Sequence, residues 1–152
     1  MENETIKEQF LGTIFGQAVG DALGLSTEFM SKQEVDRLYP NGIVDNSRII
    51  PFIDLAYHEG LDSLCLDDEK SMGYTLRTLG AALWAYWHAT SYKEGILKIV
   101  LSGGDADTNA AVAGAILGAQ FGINQIPEEW KDGLFYASML YNKVQEFYAM
   151  YQ

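Results

Sequence analysis

The chain has 152 residues, of which 48% are apolar and 12% aromatic, enough apolar surface for the core of one domain over residues 1–152. Its 21 acidic residues outnumber its 10 Lys and Arg residues and give a net charge of −11, so phosphate backbones and anionic lipids repel it, and we expect it to bind neither nucleic acid nor membranes. The one cysteine, Cys65, excludes an internal disulfide, and the acidic first residues are unlike a secretory signal, so we expect a cytoplasmic protein.

The first predicted element is a helix over residues 5–25, because apolar side chains recur there with the period of a helix. Within it, glycines recur at every fourth position, at Gly12, Gly16, Gly20 and Gly24. A glycine in a helix interior costs about 0.5–1 kcal/mol relative to alanine. A ridge without side chains therefore indicates that another element packs closely against this helix.

A second row of small residues has the same spacing, at Ala106, Ala110, Gly114, Gly118 and Gly122. Small residues on two facing helices allow their backbones to come close together. We therefore predict that a helix over residues 106–121 packs this row against the glycine ridge of the first helix.

The segment between these two helices is less uniform. Residues 43–69 contain several turn-forming residues and are interpreted as loop, with room for one short helix. Helical periodicity resumes from Tyr74 to His88. Ser91 and Glu94 then stand at capping-box spacing, in which each side chain satisfies a backbone N–H of the other residue, and a helix to Leu101 follows.

Two further helices are predicted after residue 121, a short one from Pro127 to Trp130 and a last one from Leu134 to Tyr148. No alternation of apolar and polar residues typical of a strand extends beyond a few positions. The sequence therefore predicts an all-α fold.

The residues that carry the chemistry follow a pair of glycines, Gly103 and Gly104, which let the chain turn sharply before the helix. Asp105, Asp107 and Thr108 then bring two carboxylates and a hydroxyl to one helix N-terminus. Oxygen ligands of this kind suit Mg²⁺, Mn²⁺ or Ca²⁺ rather than a metal that prefers thiolates. The simpler alternative is that an aspartate caps the helix and interacts with its dipole.

Other carboxylates are candidates to complete the coordination shell, since a hard divalent cation takes about six oxygens. Asp21 would reach the same region if the two small-residue rows meet, although a buried aspartate bonded to a helix end is an equal alternative. Glu28 follows the first helix and could orient a water molecule, the alternative being a solvated surface residue. Asp67, Asp68 and Glu69 form an acidic cluster that is more typical of solvated surface.

Several segments resemble one known family. Residues 16–24, Gly-Gln-Ala-Val-Gly-Asp-Ala-Leu-Gly, and residues 103–108, Gly-Gly-Asp-Ala-Asp-Thr, are similar to the two ends of the ADP-ribosylglycohydrolase family. Residues 73–84 and 126–130 are similar to the segments on either side of the second motif. The similarity covers about residues 5–40 and 72–131.

This resemblance implies an all-α domain that uses Mg²⁺ or Mn²⁺ to hydrolyse the bond between ADP-ribose and a protein side chain or small molecule. It implies metal ligation by Asp105, Asp107 and Thr108 and a catalytic carboxylate at Glu28, near the substrate ribose. We expect Gly103, Gly104 and Asp21 beside the bound ligand. The expected partners are an ADP-ribose-containing small molecule or an ADP-ribosylated protein.

The sequence departs from the family at its first metal motif, a Thr-Asp-Asp-Thr run. Residues 43–48 read Ile-Val-Asp-Asn-Ser-Arg, and the only adjacent aspartates, Asp67 and Asp68, have no threonines beside them. We therefore expect a weakly held cation and slow hydrolysis. Two alternatives remain. The first is a protein of the same ancestry that binds ADP-ribose or a nucleotide without hydrolysis. The second is a helical interaction module with a degenerate site, which includes a homo-oligomer in which a second copy supplies the missing half of the site.

Overall fold

The computed structural model describes residues 31–38, 40 and 49–150, without the side chains of residues 147 and 148. These residues contain seven α-helices: α1 Lys32–Leu38, α2 Ile50–His58, α3 Thr75–His88, α4 Tyr92–Leu101, α5 Ala106–Phe121, α6 Glu128–Asp132 and α7 Ala137–Ala149. Two 3₁₀ turns, Leu61–Leu64 and Ile123–Gln125, lie between them. No strand occurs in the described residues, so the predicted all-α fold is confirmed there.

The core lies where α3 packs against α5, with α4 on α5 and α2 on α3. The buried face of α3 is rich in alanine, because small side chains let α5 come close. Ile116 and Leu117 of α5 and Ile99 of α4 fill the space between the helices. The helices predicted from Tyr74, from Ser91 and from Ala106 are thus confirmed to within about a residue.

Gly95 lies where α4 crosses α5. A Cβ atom at this position would lie 2.6 Å from Cδ1 of Leu117 and 2.8 Å from Cβ of Ala89. Since such distances are too short for carbon atoms, the absence of a side chain at Gly95 is what admits the fully buried Leu117.

The small-residue row of α5 also faces α4. A Cβ atom on Gly114 would lie 3.3 Å from Oη of Tyr92, and one on Gly118 would lie 4.0 Å from the same ring. Within the described residues the row therefore accommodates Tyr92, and burial raises the pKa of this phenol. The predicted contact with the ridge at 12–24 involves residues outside the described part of the chain.

The segment interpreted as loop with one short helix contains α2 and a 3₁₀ turn. Pro51 lies in the first turn of α2, where a missing N–H is tolerated. Near the other end of α2, the carbonyl of Ala56 is 3.1 Å from Nε2 of His88, so α3 supplies a partner for a carbonyl of the last turn.

Helix α1 was not predicted, because its seven residues offer no apolar face. Its start nevertheless has a local signal. The Glu34 carboxylate accepts the N–H of Ser31 at 2.8 Å, and the Ser31 hydroxyl accepts the N–H of Glu34 at 3.3 Å. This is a complete capping box, and its hydrogen bonds from Ser31 lower the pKa of Glu34.

The capping box predicted before α4 is formed in part. The Ser91 hydroxyl accepts the N–H of Glu94 at 3.2 Å, as expected. The Glu94 carboxylate instead accepts the N–H of Thr90 at 2.9 Å, and it pairs with Lys98 one turn later. These bonds lower the pKa of Glu94, with the Lys98 hydrogen bond contributing most and the Thr90 N–H next.

The last helix begins three residues later than predicted and exposes apolar side chains. The exposed large residues on and just before α7 are Leu134, Phe135, Tyr136, Met139, Leu140, Tyr141 and Val144. We call them the α7 apolar set. No helix in the described part of the chain combines the length and apolar character needed to cross a bilayer.

The Glu94 carboxylate makes the stability of the chain depend on pH. Its contribution is complete above the unfolded-state pKa of about 4.3 and is lost as the pH falls through the lower folded-state pKa. We expect Glu94→Gln to be less stable than wild type in urea unfolding at about pH 7, and the difference to be smaller at about pH 3. Glu59→Gln, at an exposed position, should leave stability nearly unchanged at both. A difference for Glu94→Gln that persists undiminished at acid pH would contradict this expectation.

Candidate functional site

The glycine pair turns the chain from α4 into α5, as predicted. Gly103 has φ +71° and Gly104 has φ +63°, and both values lie in the left-handed region that favours glycine. The N–H of Gly103 donates to the carbonyl of Val100 at 3.2 Å, which ends α4. Two consecutive left-handed residues then reverse the chain at the start of α5.

Gly104 is in direct contact with a distant part of the backbone. A Cβ atom there would overlap the carbonyl oxygen of Leu66, and it would lie 2.7 Å from the carbonyl carbon and 3.2 Å from Cα of Asp67. A Cβ atom on Gly103 would lie 3.8 Å from Cβ of Asp67. The turn that carries the acidic cluster therefore lies directly on the glycine pair, and any side chain at Gly104 would separate them.

The start of α3 approaches the same place. Gly73 has φ +79°, and a Cβ atom on it would lie 3.5 Å from Oδ2 of Asp105. Three segments thus meet: residues 65–68, Gly73, and residues 103–108. We call this meeting point the glycine junction.

The predicted metal ligands lie on the α5 side of the glycine junction. Asp105 is half-buried and occupies the N-cap position, but its side chain makes no capping hydrogen bond, so the alternative of simple capping does not hold for it. Asp107 and Thr108 are exposed in the first turn, where the helix dipole favours a carboxylate. The three side chains share one accessible helix end.

Asp67 and Asp68 have different environments. Asp67 is exposed beside Gly103. Asp68 is turned into its own loop: it accepts the Ser71 hydroxyl at 2.5 Å and the N–H of Lys70 at 3.2 Å, and pairs with Arg77 at 3.3 Å. The Ser71 and Lys70 hydrogen bonds, followed by the Arg77 charge, lower the pKa of Asp68.

A buried hydrogen bond fixes α3 against α5 next to the glycine junction. The Thr78 hydroxyl donates to Oδ1 of Asn109 at 2.7 Å, and both residues are buried. Since a buried polar pair is stable only when both partners are in place, this bond sets the relative position of the two helices.

The sequence did not identify four residues that build the glycine junction or hold it in place: Gly73, Arg77, Thr78 and Asn109. Thr78 and Asn109 each interrupt an apolar helix face that is otherwise regular, and that signal could have identified them. Gly73 and Arg77 have no such local signal.

The structure brings together Gly103, Gly104, Asp105, Asp107 and Thr108, and adds Asp67 beside them. The other two predicted site residues, Asp21 and Glu28, lie outside the described residues. Within residues 31–38, 40 and 49–150, no group of three or more His, Cys, Asp or Glu side chains is arranged to hold a metal ion. The available donors, two carboxylates and a hydroxyl on one helix end, fit a hard cation as a partial set of ligands.

Comparison with known proteins decides the family. The family model described as ADP-ribosylglycohydrolase matches residues 2–62 and 53–152, which together cover nearly the whole chain. The chain belongs to the ADP-ribosylglycohydrolase family. The resemblance carried by residues 16–24 and 103–108 is thereby confirmed.

Individual members of this family match parts of the chain. The ADP-ribosylarginine hydrolase Tri1 of Serratia proteamaculans is 37% identical over 84 residues, 55% of this chain and 23% of that protein. The ADP-ribosyl-dinitrogen reductase glycohydrolase of Rhodospirillum rubrum is 36% identical over 61 residues, 40% of this chain and 21% of that protein. Human ADP-ribosylhydrolase ARH3 is 44% identical over 41 residues, 27% of this chain and 11% of that protein.

The matched part of the chain thus spans less than a quarter of the length of these three relatives. No solved structure matches the chain significantly.

We expect Gly104→Ala to lower the free energy of unfolding by roughly 2–4 kcal/mol, because the new methyl group overlaps the Leu66 carbonyl and alanine disfavours a positive φ. Chemical denaturation measures this loss. Gly60→Ala is the matched control, since Gly60 has φ −79° and no atom lies within 4 Å of its Cβ position. Equal stability of the two variants would show that Gly104 is not in tight contact.

Proposed function

We propose that this chain hydrolyses the glycosidic bond between ADP-ribose and a protein side chain or small molecule, with a Mg²⁺ or Mn²⁺ ion held by Asp105, Asp107 and Thr108. The observation that carries the proposal is the glycine junction, which presents these oxygens on one accessible helix end. The names of the relatives support the substrate class, since each acts on an ADP-ribosyl linkage.

A cation bound by these ligands would supply positive charge to orient the ribose hydroxyls and to lower the pKa of a bound water. The chain's own residues act around it. Gly104 keeps the α5 terminus against the Leu66–Asp67 backbone, so that Asp105 has a fixed position. Glu28 is the proposed base that accepts a proton from the attacking water.

The number of ligands supports slow rather than fast hydrolysis. If Asp105, Asp107 and Thr108 each supply one oxygen, about half of the shell of a hard cation is left to water or to other carboxylates. A cation that both orients a substrate and activates water must be held precisely, since a misplacement of about 1 Å can cost about a hundredfold in rate. Asp67, exposed beside Gly103, is a described carboxylate on another segment that could complete the shell.

Binding without hydrolysis is a second candidate function, and the environment of Asp68 favours it. The adjacent pair Asp67–Asp68 would replace a lost aspartate motif only if both carboxylates were available. The Asp68 carboxylate already bonds Ser71, Lys70 and Arg77. The chain would then bind ADP-ribose or a related nucleotide at the glycine junction and release it unchanged.

We expect the intact chain to bind Mn²⁺ weakly in calorimetry, and the double variant Asp105→Asn with Asp107→Asn to bind it at least about tenfold more weakly, because both carboxylates lose their charge. Asp54→Asn with Asp132→Asn is the control, since it removes two charges from exposed positions on α2 and α6. An equal response of the two double variants to Mn²⁺ would remove the proposed site.

We expect slow hydrolysis of an ADP-ribosylated substrate by wild type, and a further loss of about tenfold or more in Asp67→Asn if this carboxylate completes the shell. Specific activity should then be independent of protein concentration. Specific activity that rises with concentration would instead indicate that a second copy supplies the missing ligands. Fast turnover by a demonstrated monomer, insensitive to Asp67, would contradict the expectation of an incomplete site.

A further inference from the structure

Arg77 is a largely buried guanidinium group behind the glycine junction. Its side chain is only 17% exposed, compared with 42% for its partner Asp68. Nη1 of Arg77 donates to the carbonyl of Cys65, and Nη2 donates to Oδ2 of Asp68 at 3.3 Å. One planar group therefore bonds both ends of the turn formed by residues 65–68.

This turn contains an unfavourable backbone conformation. Cys65 has φ 47° and ψ 54°, and it is the only non-glycine residue with a positive φ in the described part of the chain. A residue with a Cβ atom disfavours this region, so other bonds must maintain it. The Cys65 carbonyl accepts the N–H of Asp68 at 3.2 Å and also the Arg77 guanidinium.

The two residues between these bonded ends are the ones that touch the glycine pair. The Leu66 carbonyl lies against Gly104, and Asp67 lies beside Gly103. A change in the turn must therefore change the contact with Gly104, the residue that immediately precedes Asp105.

We propose that Arg77 is a positioning residue, which holds the turn at 65–68 in the conformation that places Gly104 and Asp105. The consequence for metal binding rests on the proposed function. Arginine suits this role because its planar fork reaches two acceptors at fixed geometry, whereas a lysine ammonium is a single point charge that cannot bridge the carbonyl and the carboxylate in the same way.

The experiment compares Arg77→Met, Arg77→Lys and wild type in the full chain, by NMR of the backbone amides and by calorimetry with Mn²⁺ alone. We expect Arg77→Met to raise hydrogen exchange of the Asp68 amide at least tenfold, to shift the amide resonances of Gly103, Gly104 and Asp105, and to weaken Mn²⁺ binding at least tenfold. Arg77→Lys should give effects in the same direction, because one of the two bonds is lost.

The matched control is Lys93→Met, which removes one positive charge from an exposed pair with Glu129 at 3.5 Å. It should leave the amides of residues 65–68 and 103–105 unchanged. A role for Arg77 in general stability alone would instead raise exchange in α4 and α5 as much as in the turn.

Two readouts separate this inference from the proposed function. If wild type neither binds Mn²⁺ nor hydrolyses substrate, while Arg77→Met still shifts the Gly103–Asp105 amides, the positioning role holds and the proposed function fails. Unchanged Gly103–Asp105 amides in Arg77→Met overturn the positioning role, whatever the activity. If Arg77→Met does not fold, the Gly103–Asp105 amides of Arg77→Lys are compared with those of wild type instead, and unchanged resonances there overturn the positioning role.

Discussion

The contact between the backbone of Gly104 and the carbonyl of Leu66 is the constraint on which the rest of the site depends. The two backbones touch with no side chain between them, because a Cβ atom at position 104 would overlap the Leu66 carbonyl. Position 104 must therefore be glycine, and both backbones must keep fixed conformations. Asp105, Asp107 and Thr108 follow immediately along the chain. The position of three oxygen ligands therefore depends on a contact in which none of them takes part.

Neighbouring interactions stabilise this contact. The Thr78–Asn109 hydrogen bond fixes α3 against α5 in the core, and Gly73 brings the start of α3 to Asp105. Arg77, one residue before Thr78, secures the other partner of the contact from the same helix. Helix α3 thus supports the glycine junction through two adjacent residues, the buried Thr78 and the largely buried guanidinium of Arg77.

The sequence predicted the parts of this arrangement that depend on local patterns. Apolar periodicity located α3 and the row of small residues located α5, each to within about a residue, and the glycine pair indicated the sharp turn before Asp105. The meeting of Leu66 with Gly104 could not be predicted, because the two residues are far apart in the sequence and the contact involves backbone atoms that every residue possesses. The irregular segment 43–69 contains α2, the one short helix for which the sequence left room, but no local pattern gave its bounds. The roles of Asp21 and Glu28 stay predictions.

The α7 apolar set has a consequence for how the protein behaves in solution. Its side chains are exposed on a chain with a net charge of −11, so at low ionic strength electrostatic repulsion keeps molecules apart. Added salt screens that repulsion: the Debye length is about 10 Å at 0.1 M and becomes shorter at higher concentration. Sulfate and similar ions also strengthen the association of apolar surfaces. Colloidal stability should therefore decrease as salt is raised, and purification at low ionic strength will favour dispersed molecules.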